Sequence, residues 1–406
     1  MALIQKSDSG ILDQLHVKKV INCFGPVTIL GGSILDRRIT KAMEEISQIF
    51  VDMDDLLDNA SEKVSRLLGV EAAFITSGAA AGLALSAAGC MTGLDQSKIE
   101  KLPDVFDFEK NEIIVQAGQR NTYDRCLRVA GARLISVGIP YLTYPWQLRS
   151  ALNAKTAAIA HFTLETAWTG VLNMEEVHGI AEEFSVPIIV DGCNEVLPTI
   201  ATIKKYFERG ADLMVLSGGK SIQGPNDTGI ICGKKELVQA CRMNASPHMN
   251  GIGRTMKVSK EQIVGLVTAL EIYAESDPYV RLNKWIDKLD FIRKELLDVP
   301  GIRIKRSPEQ PELSTVPILE IQLDEQELGF NSRDIVKALK GWDPPIVLDI
   351  DFWIHFRKQA IFVNPSCLQD SEEVIVANAL KRVLTDRTTL KELLSEIPRI
   401  NAVAYP

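Results

Sequence analysis

The 406-residue chain has no CxxC pair, no HExxH motif and no histidine–cysteine cluster. Its seven cysteines are scattered and odd in number, which reads as the reduced thiols of a cytosolic protein. The five histidines lie far apart, so no metal site is expected. No run of 18 apolar residues occurs, and the opening MALIQKSDSG lacks the apolar centre of a secretory signal. Neither a membrane span nor secretion is therefore expected. A basic excess is missing too: the formal net charge is −8 and the pI about 5.4. That balance disfavours nucleic acid as an obligate partner. Repeats and low-complexity tracts are absent.

Present instead is an ordinary globular composition, 46% hydrophobic and 24% charged, on a length suited to two domains. Helical spacing marks residues 36–50 and 54–68, the second stopping at Gly69. From residue 71 short strands rich in Ile and Val alternate with helices: AAFIT, NEIIVQAG, RLISVGI, TAAIAHF, VPIIVDG and ADLMVLS are the strands. Strands apolar on both faces and separated by helices indicate an α/β fold with a parallel sheet covered on both sides. Ser259 and Gln262 form a capping box that opens a further helix. A long helix over about 279–298 follows, and after residue 301 the texture becomes α+β. The expected division is an N-terminal segment 1–50 contributing to the small domain and to subunit contacts, a large domain 51–280 and a small domain 281–406.

Chemistry gathers at three predicted strand ends, where open α/β sheets place ligands. Thr76-Ser77-Gly78-Ala79-Ala80 is a strand-to-helix turn whose backbone N–H groups can bind phosphate. Asp191 ends VPIIVD, and Lys220 sits in SGGKSIQGPNDTG after the next strand. Singly, each has a plain structural reading: a tight turn, a helix cap, a solvated lysine. Together, in that order, they describe a site for pyridoxal 5'-phosphate (PLP). Lys220 would form the Schiff base and Asp191 would keep the pyridine nitrogen protonated. Gly78, Ala79 and Ser217, with Ser77 in the same turn, would hold the phosphate. Cys193 can pack on the ring face and Asn194 can reach the ring hydroxyl.

Several longer stretches extend this: VINCFGPVTILGGSIL (20–35), FVDMDDLLDNASEKVSRLLGVEAAFITSGAAAGLALSAA (50–88), GQRNTYDRCLRVAGA (118–132), VDGCNEVLP (190–198), SGGKSIQGPNDTGII (217–231) and GIGRTMKVSKEQIVGL (251–266). In these the chain resembles the selenocysteine synthase-like PLP-dependent enzymes of fold type I, in their D-glucosaminate-6-phosphate ammonia-lyase-like branch. The resemblance implies a large PLP-binding domain with a smaller α+β domain, and a homodimer or higher homo-oligomer. It places Arg254, Lys257 and Lys260 near the cofactor, reaching it from a neighbouring subunit. It makes Arg120 and Asn121 ring or substrate contacts. Gln119 stands where a ring-stacking histidine is expected. Asn364-Pro365-Ser366 replaces an Asp-Pro-Arg whose arginine would take a substrate carboxylate; Arg357 is the candidate to compensate. Pro26 stands where threonine is commoner.

The implied activity is α,β-elimination with release of ammonia from a 2-amino acid or amino sugar acid such as D-glucosaminate 6-phosphate. A selenium- or sulfur-transferring β-replacement is the alternative, demoted by the acidic balance and by a start almost at the shared motif, without an added RNA-holding domain. A non-catalytic PLP-binding protein and a plain nucleotide-binding α/β protein are the remaining readings.

Overall fold

The computed structural model describes residues 10–163, 170–193, 202–310, 316–348 and 359–396. The chain divides into two units, Gly31–Ser276 and a second made of Met1–Leu30 with Asp277–Pro406. Among the described residues the strands are, in chain order, β1 (Ile21–Cys23), β2 (Ala72–Thr76), β3 (Glu112–Gln116), β4 (Arg133–Val137), β5 (Thr156–Phe162), β6 (Ile188–Asp191), β7 (Leu213–Ser217), β8 (Gly229–Gly233), β9 (Ile302–Ser307), β10 (Ile318–Leu323), β11 (Ile346–Leu348) and β12 (Ala360–Val363).

In the larger unit seven strands form one sheet in the order β2-β8-β7-β6-β5-β3-β4. From β7 to β4 every pair is parallel, whereas β8 runs antiparallel to both β7 and β2. A parallel return needs a crossover of a dozen or more residues, usually through a helix. Residues 218–228, between β7 and β8, contain none, so the chain comes back antiparallel. Ile113, Ile114 and Val115 on β3, and Ile188, Ile189 and Val190 on β6, are all buried, as strands covered on both faces must be.

Local signals set the helices. Asp52 accepts from the N–H groups of Asp54 and Asp55 to open Met53–Leu68, and Gly69, at φ 64°, closes it. The Ser259–Gln262 capping box opens Lys260–Glu275 as expected. Helix Arg37–Ser47 packs in this unit, where the Cβ of an alanine at Gly265 would come within 2.9 Å of Met43 Sδ. Helix Ala79–Thr92 lies close on its neighbours because its contact positions are glycine. A Cβ at Gly82 would meet Val215 at 2.6 Å, and one at Gly89 would meet the Cys241 backbone nitrogen at 2.8 Å.

Two of the elements that differ from the sequence expectation lie in the larger unit near the site strands. TYDRCLRVAG yields only a 3-10 segment, Asp124–Arg128. Its bonds run three residues back, from Cys126 to Tyr123 and from Val129 to Cys126. Helix Lys235–Met243 was not anticipated; it begins without a side-chain cap, so no start signal advertises it.

In the smaller unit β10 lies between β9 and β12, antiparallel to both, and β1 pairs in parallel with β11. Ile21 and Cys23 from β1 join Leu289, Ile292, Leu319, Ile321, Ile361, Val376 and Leu380 in one buried core. No helix among the described residues is long and apolar enough to cross a membrane.

Gly89→Val forces a branched side chain against the Cys241 backbone, which cannot yield as a flexible side chain can. Such overpacking costs about 1–3 kcal/mol, and urea denaturation should show a loss of that size; an unchanged midpoint would contradict the packing described.

Candidate active site

Strand register brings the sequence candidates to one edge of the larger sheet. Thr76 at the end of β2 pairs with Gly229, and Gly229 pairs on its other side with Ser217 at the end of β7. Asp191 ends β6, the next strand, and pairs with Val215. Ser77-Gly78-Ala79, Ser217 with Lys220, and Asp191 therefore leave neighbouring strands on the same side.

The β2 turn is built on backbone. Thr76 Oγ1 donates to the Gly78 carbonyl at 2.9 Å. Gly78 adopts φ 92° and ψ 161°, which a residue with a side chain rarely adopts. Helix Ala79–Thr92 then starts with no side-chain cap, and a Cβ at Gly78 would meet nothing within 4 Å. The space beside Gly78 is thus open, and the helix start carries the positive end of the helix dipole with no side chain capping it. Such a terminus suits an anionic group.

The Asp191 carbonyl accepts from Thr163 N at 3.2 Å and Thr163 Oγ1 at 3.1 Å, and its Oδ1 accepts from Cys193 N at 3.0 Å. Burial pushes its carboxyl above the ordinary range, against the smaller opposing effects of the Cys193 bonds and the Lys220 charge. A carboxyl in that state favours a cationic partner. Burial, with the Asp191 charge, also drives the Cys193 thiol well up, so it is no ready nucleophile.

Lys220 lies in a turn that only glycine permits. A Cβ at Gly218 would strike Thr228 Oγ1 at 2.0 Å, and one at Gly219 would strike Asn226 Cα at 2.5 Å. Gly218 N donates to Thr228 O, Gly224 N to Gly218 O and Gln223 N to Lys220 O. Ser33 Oγ donates to Gly219 O at 2.9 Å and lies 3.4 Å from Lys220 O. Neither Ser33 nor Thr163 was found from sequence. Ser33 lies in the 20–35 stretch but is 187 positions from Lys220, and nothing in that stretch ties it to the lysine turn.

The remaining candidates divide. Gln119 is buried, and its amide bridges the end of β5, donating to Phe162 O at 3.1 Å and accepting from Phe162 N at 3.4 Å. Arg120 pairs with buried Asp124, and Asn121 turns back on its own loop through Gln119 O and Tyr123 N. Arg254 and Lys257 line a cavity of about 180 Å³ with Met53, Leu57, Ser246, Pro247 and Val258. Lys260 is not in that lining. It donates to the carbonyls of Ile46 at 2.9 Å, Ser47 at 3.2 Å and also Ile49, at and just past the end of helix Arg37–Ser47. Ser366, in the smaller unit, donates from N and Oγ to Asn364 Oδ1. Asn194 and Arg357 lie outside the described residues.

This donor set fits PLP. An uncapped helix start behind an open glycine suits its phosphate, the carboxyl at the end of β6 suits its ring nitrogen, and the amine of Lys220 suits its aldehyde.

The chain is similar to known proteins. The family model for L-seryl-tRNA selenium transferase matches residues 20–306. D-Glucosaminate-6-phosphate ammonia lyase of Salmonella typhimurium is 30% identical over 92% of this chain and 98% of its own. A 5'-C-glycyluridine monooxygenase-decarboxylase of a Streptomyces species is 29% identical over 92% and 91%. A solved structure of D-glucosaminate-6-phosphate ammonia-lyase, 29% identical, superposes with a TM-score of 0.79 over 93% of this chain and 99% of that one. A serine palmitoyltransferase variant from S. paucimobilis, solved with a PLP–myriocin aldimine bound, shares the fold with a TM-score of 0.56 at 10% identity over 93% and 88%. The fold is type I of the PLP-dependent enzymes.

The raised Asp191 carboxyl has a consequence for the cofactor-free protein. The folded chain holds that proton to higher pH than the unfolded chain, so wild-type stability falls as pH rises above the ordinary carboxylate range toward the raised value. Cofactor-free Asp191→Asn should therefore be more stable than wild type at neutral pH, with the advantage vanishing as pH falls to the ordinary carboxylate range. Urea midpoints across that span measure it; a variant less stable than wild type at neutral pH would mean the carboxylate already has a matched cation.

Proposed function

The chain belongs to the L-seryl-tRNA selenium transferase family, and from that premise we propose that it is a PLP-dependent carbon–nitrogen lyase. Its substrate is a phosphorylated 2-amino sugar acid such as D-glucosaminate 6-phosphate. The observation that carries this reading is that Asp191 ends one strand and Lys220 lies in the turn after the adjacent one, with the charge of one acting on the other.

Bound PLP supplies an electron sink for the charge left when the substrate α-proton departs. The protein's own groups do the rest. The start of helix Ala79–Thr92 and Ser217 would hold the cofactor phosphate, and Asp191 would hold a proton at the ring nitrogen. Lys220 Nζ takes the α-proton, and the β-hydroxyl leaves with a proton as water. Water then hydrolyses the resulting enamine. The net change is loss of ammonia, giving 2-dehydro-3-deoxygluconate 6-phosphate from D-glucosaminate 6-phosphate. Arg254 and Lys257, cations on one cavity, suit the substrate phosphate. The net charge of −8 supports a small-molecule substrate over a charged tRNA.

The same reading makes the protein a cytoplasmic homodimer or larger assembly. Phe50 and Met249 support it: both are large apolar residues left exposed, close in sequence to the cavity residues Met53 and Pro247.

Lys220→Ala should lower ammonia release from D-glucosaminate 6-phosphate by on the order of 10²–10⁴-fold or more, the usual worth of a positioned acid–base group. A coupled ammonia assay reads it, and a variant with normal turnover would reject the mechanism. Lys257→Ala should raise KM about tenfold for the phosphorylated substrate, as loss of one charge-assisted bond implies, and leave an unphosphorylated amino sugar acid unaffected. Equal effects on both substrates would remove Lys257 from phosphate binding.

A further inference from the structure

We infer that Ser33 is a positioning residue for Lys220, acting through the Gly219–Lys220 peptide; this rests on the reading of Lys220 as the lysine that joins PLP. The segment that carries it is shaped for contact. Gly31 and Gly32 have φ 84° and 77°, a double left-handed bend that residues with side chains rarely adopt. The bend sets Gly32 against the lysine turn: a Cβ on Gly32 would lie 2.4 Å from Asn226 Oδ1. Asn226 in turn packs on Gly219, where an added Cβ would meet Asn226 Cα at 2.5 Å. Asn226 is thus held between two glycines, one on each segment.

Ser33 completes this contact with a directed bond. Its single hydroxyl proton goes to Gly219 O at 2.9 Å, with Lys220 O beside it at 3.4 Å. Lys220 O already accepts from Gln223 N at 2.9 Å, which ties the far side of the residue. The near side is Gly219, whose missing Cβ leaves its backbone the freest of any residue type. Ser33 supplies the bond that limits rotation of the peptide joining Gly219 to Lys220. The orientation of the Lys220 Cα–Cβ bond, and hence the reach of its amine, depends on that peptide. Misplacement of a reacting group by about 1 Å can cost about a hundredfold in rate, so a backbone bond here has leverage that the same bond elsewhere lacks.

The test is the rate at which cofactor-free protein attaches PLP to Lys220, read by quenching with borohydride at intervals and quantifying the labelled peptide. Ser33→Ala should slow attachment about tenfold, the scale of one lost backbone hydrogen bond combined with some loss of orientation. It should lower kcat with little change in KM. Ser33→Thr, which keeps the hydroxyl, should restore most of the rate. Should Ser33→Ala fail to fold, Ser33→Cys, whose thiol is a weak donor, reads the same rate. Attachment at the wild-type rate in a variant lacking the hydroxyl, while wild type itself labels Lys220, overturns the role of Ser33 alone. A fall in thermal stability with the attachment rate unchanged overturns it as well, since Ser33 would then be structural only. A wild-type protein that labels no lysine overturns the proposed function and this inference together.

Discussion

Burial of the Asp191 carboxyl outweighs what its bonds from Cys193 and the nearby charge of Lys220 return, so the carboxyl sits above its ordinary range. A sheet end that holds an acid in this state carries a standing preference for one more positive charge. The pyridine nitrogen of PLP, protonated, is a group that meets it. Main-chain contacts fix its residue in place: β6 ends on it, Thr163 clasps its backbone carbonyl, and Gln119 ties the end of β5 beside it. Gln119 therefore spends its amide on backbone, and whatever it presents to a ligand is its remaining surface.

Close backbone approach is the second constraint. Gly78 and Gly229 touch, Gly218 and Gly219 lie on Thr228 and Asn226, and Gly32 reaches the same asparagine. Each contact removes side chains from around the lysine and leaves main-chain donors and acceptors to define the space. The walls of the site are hydrogen-bonded turns in place of rotamer-rich side chains. The antiparallel β8 belongs to the same design. By returning directly from the lysine turn it places Gly229 between Thr76 and Ser217, joining the phosphate turn to the lysine strand in one register.

The parts legible in the sequence were those with local causes. The β2, β3, β5, β6 and β7 strands follow from continuous apolar runs bounded by turn residues. The helix at Ser259 follows from its capping box, and Lys220 and Asp191 follow from their places at strand ends. The direction of β8 was hidden because an apolar strand reads the same either way; only the missing crossover helix distinguishes it. Lys260 reads as one of three equivalent cations in GRTMKVSK, yet its ammonium closes a helix end, a contact set by packing more than two hundred residues away in sequence. Ser33 was invisible for the same reason. The 20–35 stretch contains Ser33, but a long-range bond from a single hydroxyl leaves no periodicity that names its partner, so only the folded backbone shows it.

The central claim is that Lys220 is the amine that receives PLP at the edge shared by β2, β6 and β7. Its most direct test is to add PLP to the purified protein, record the visible spectrum, reduce with borohydride and map the modified peptide. The account predicts a coloured protein whose reduced label lies on Lys220. A colourless protein, or a label on Lys257 or another lysine in its place, would contradict it.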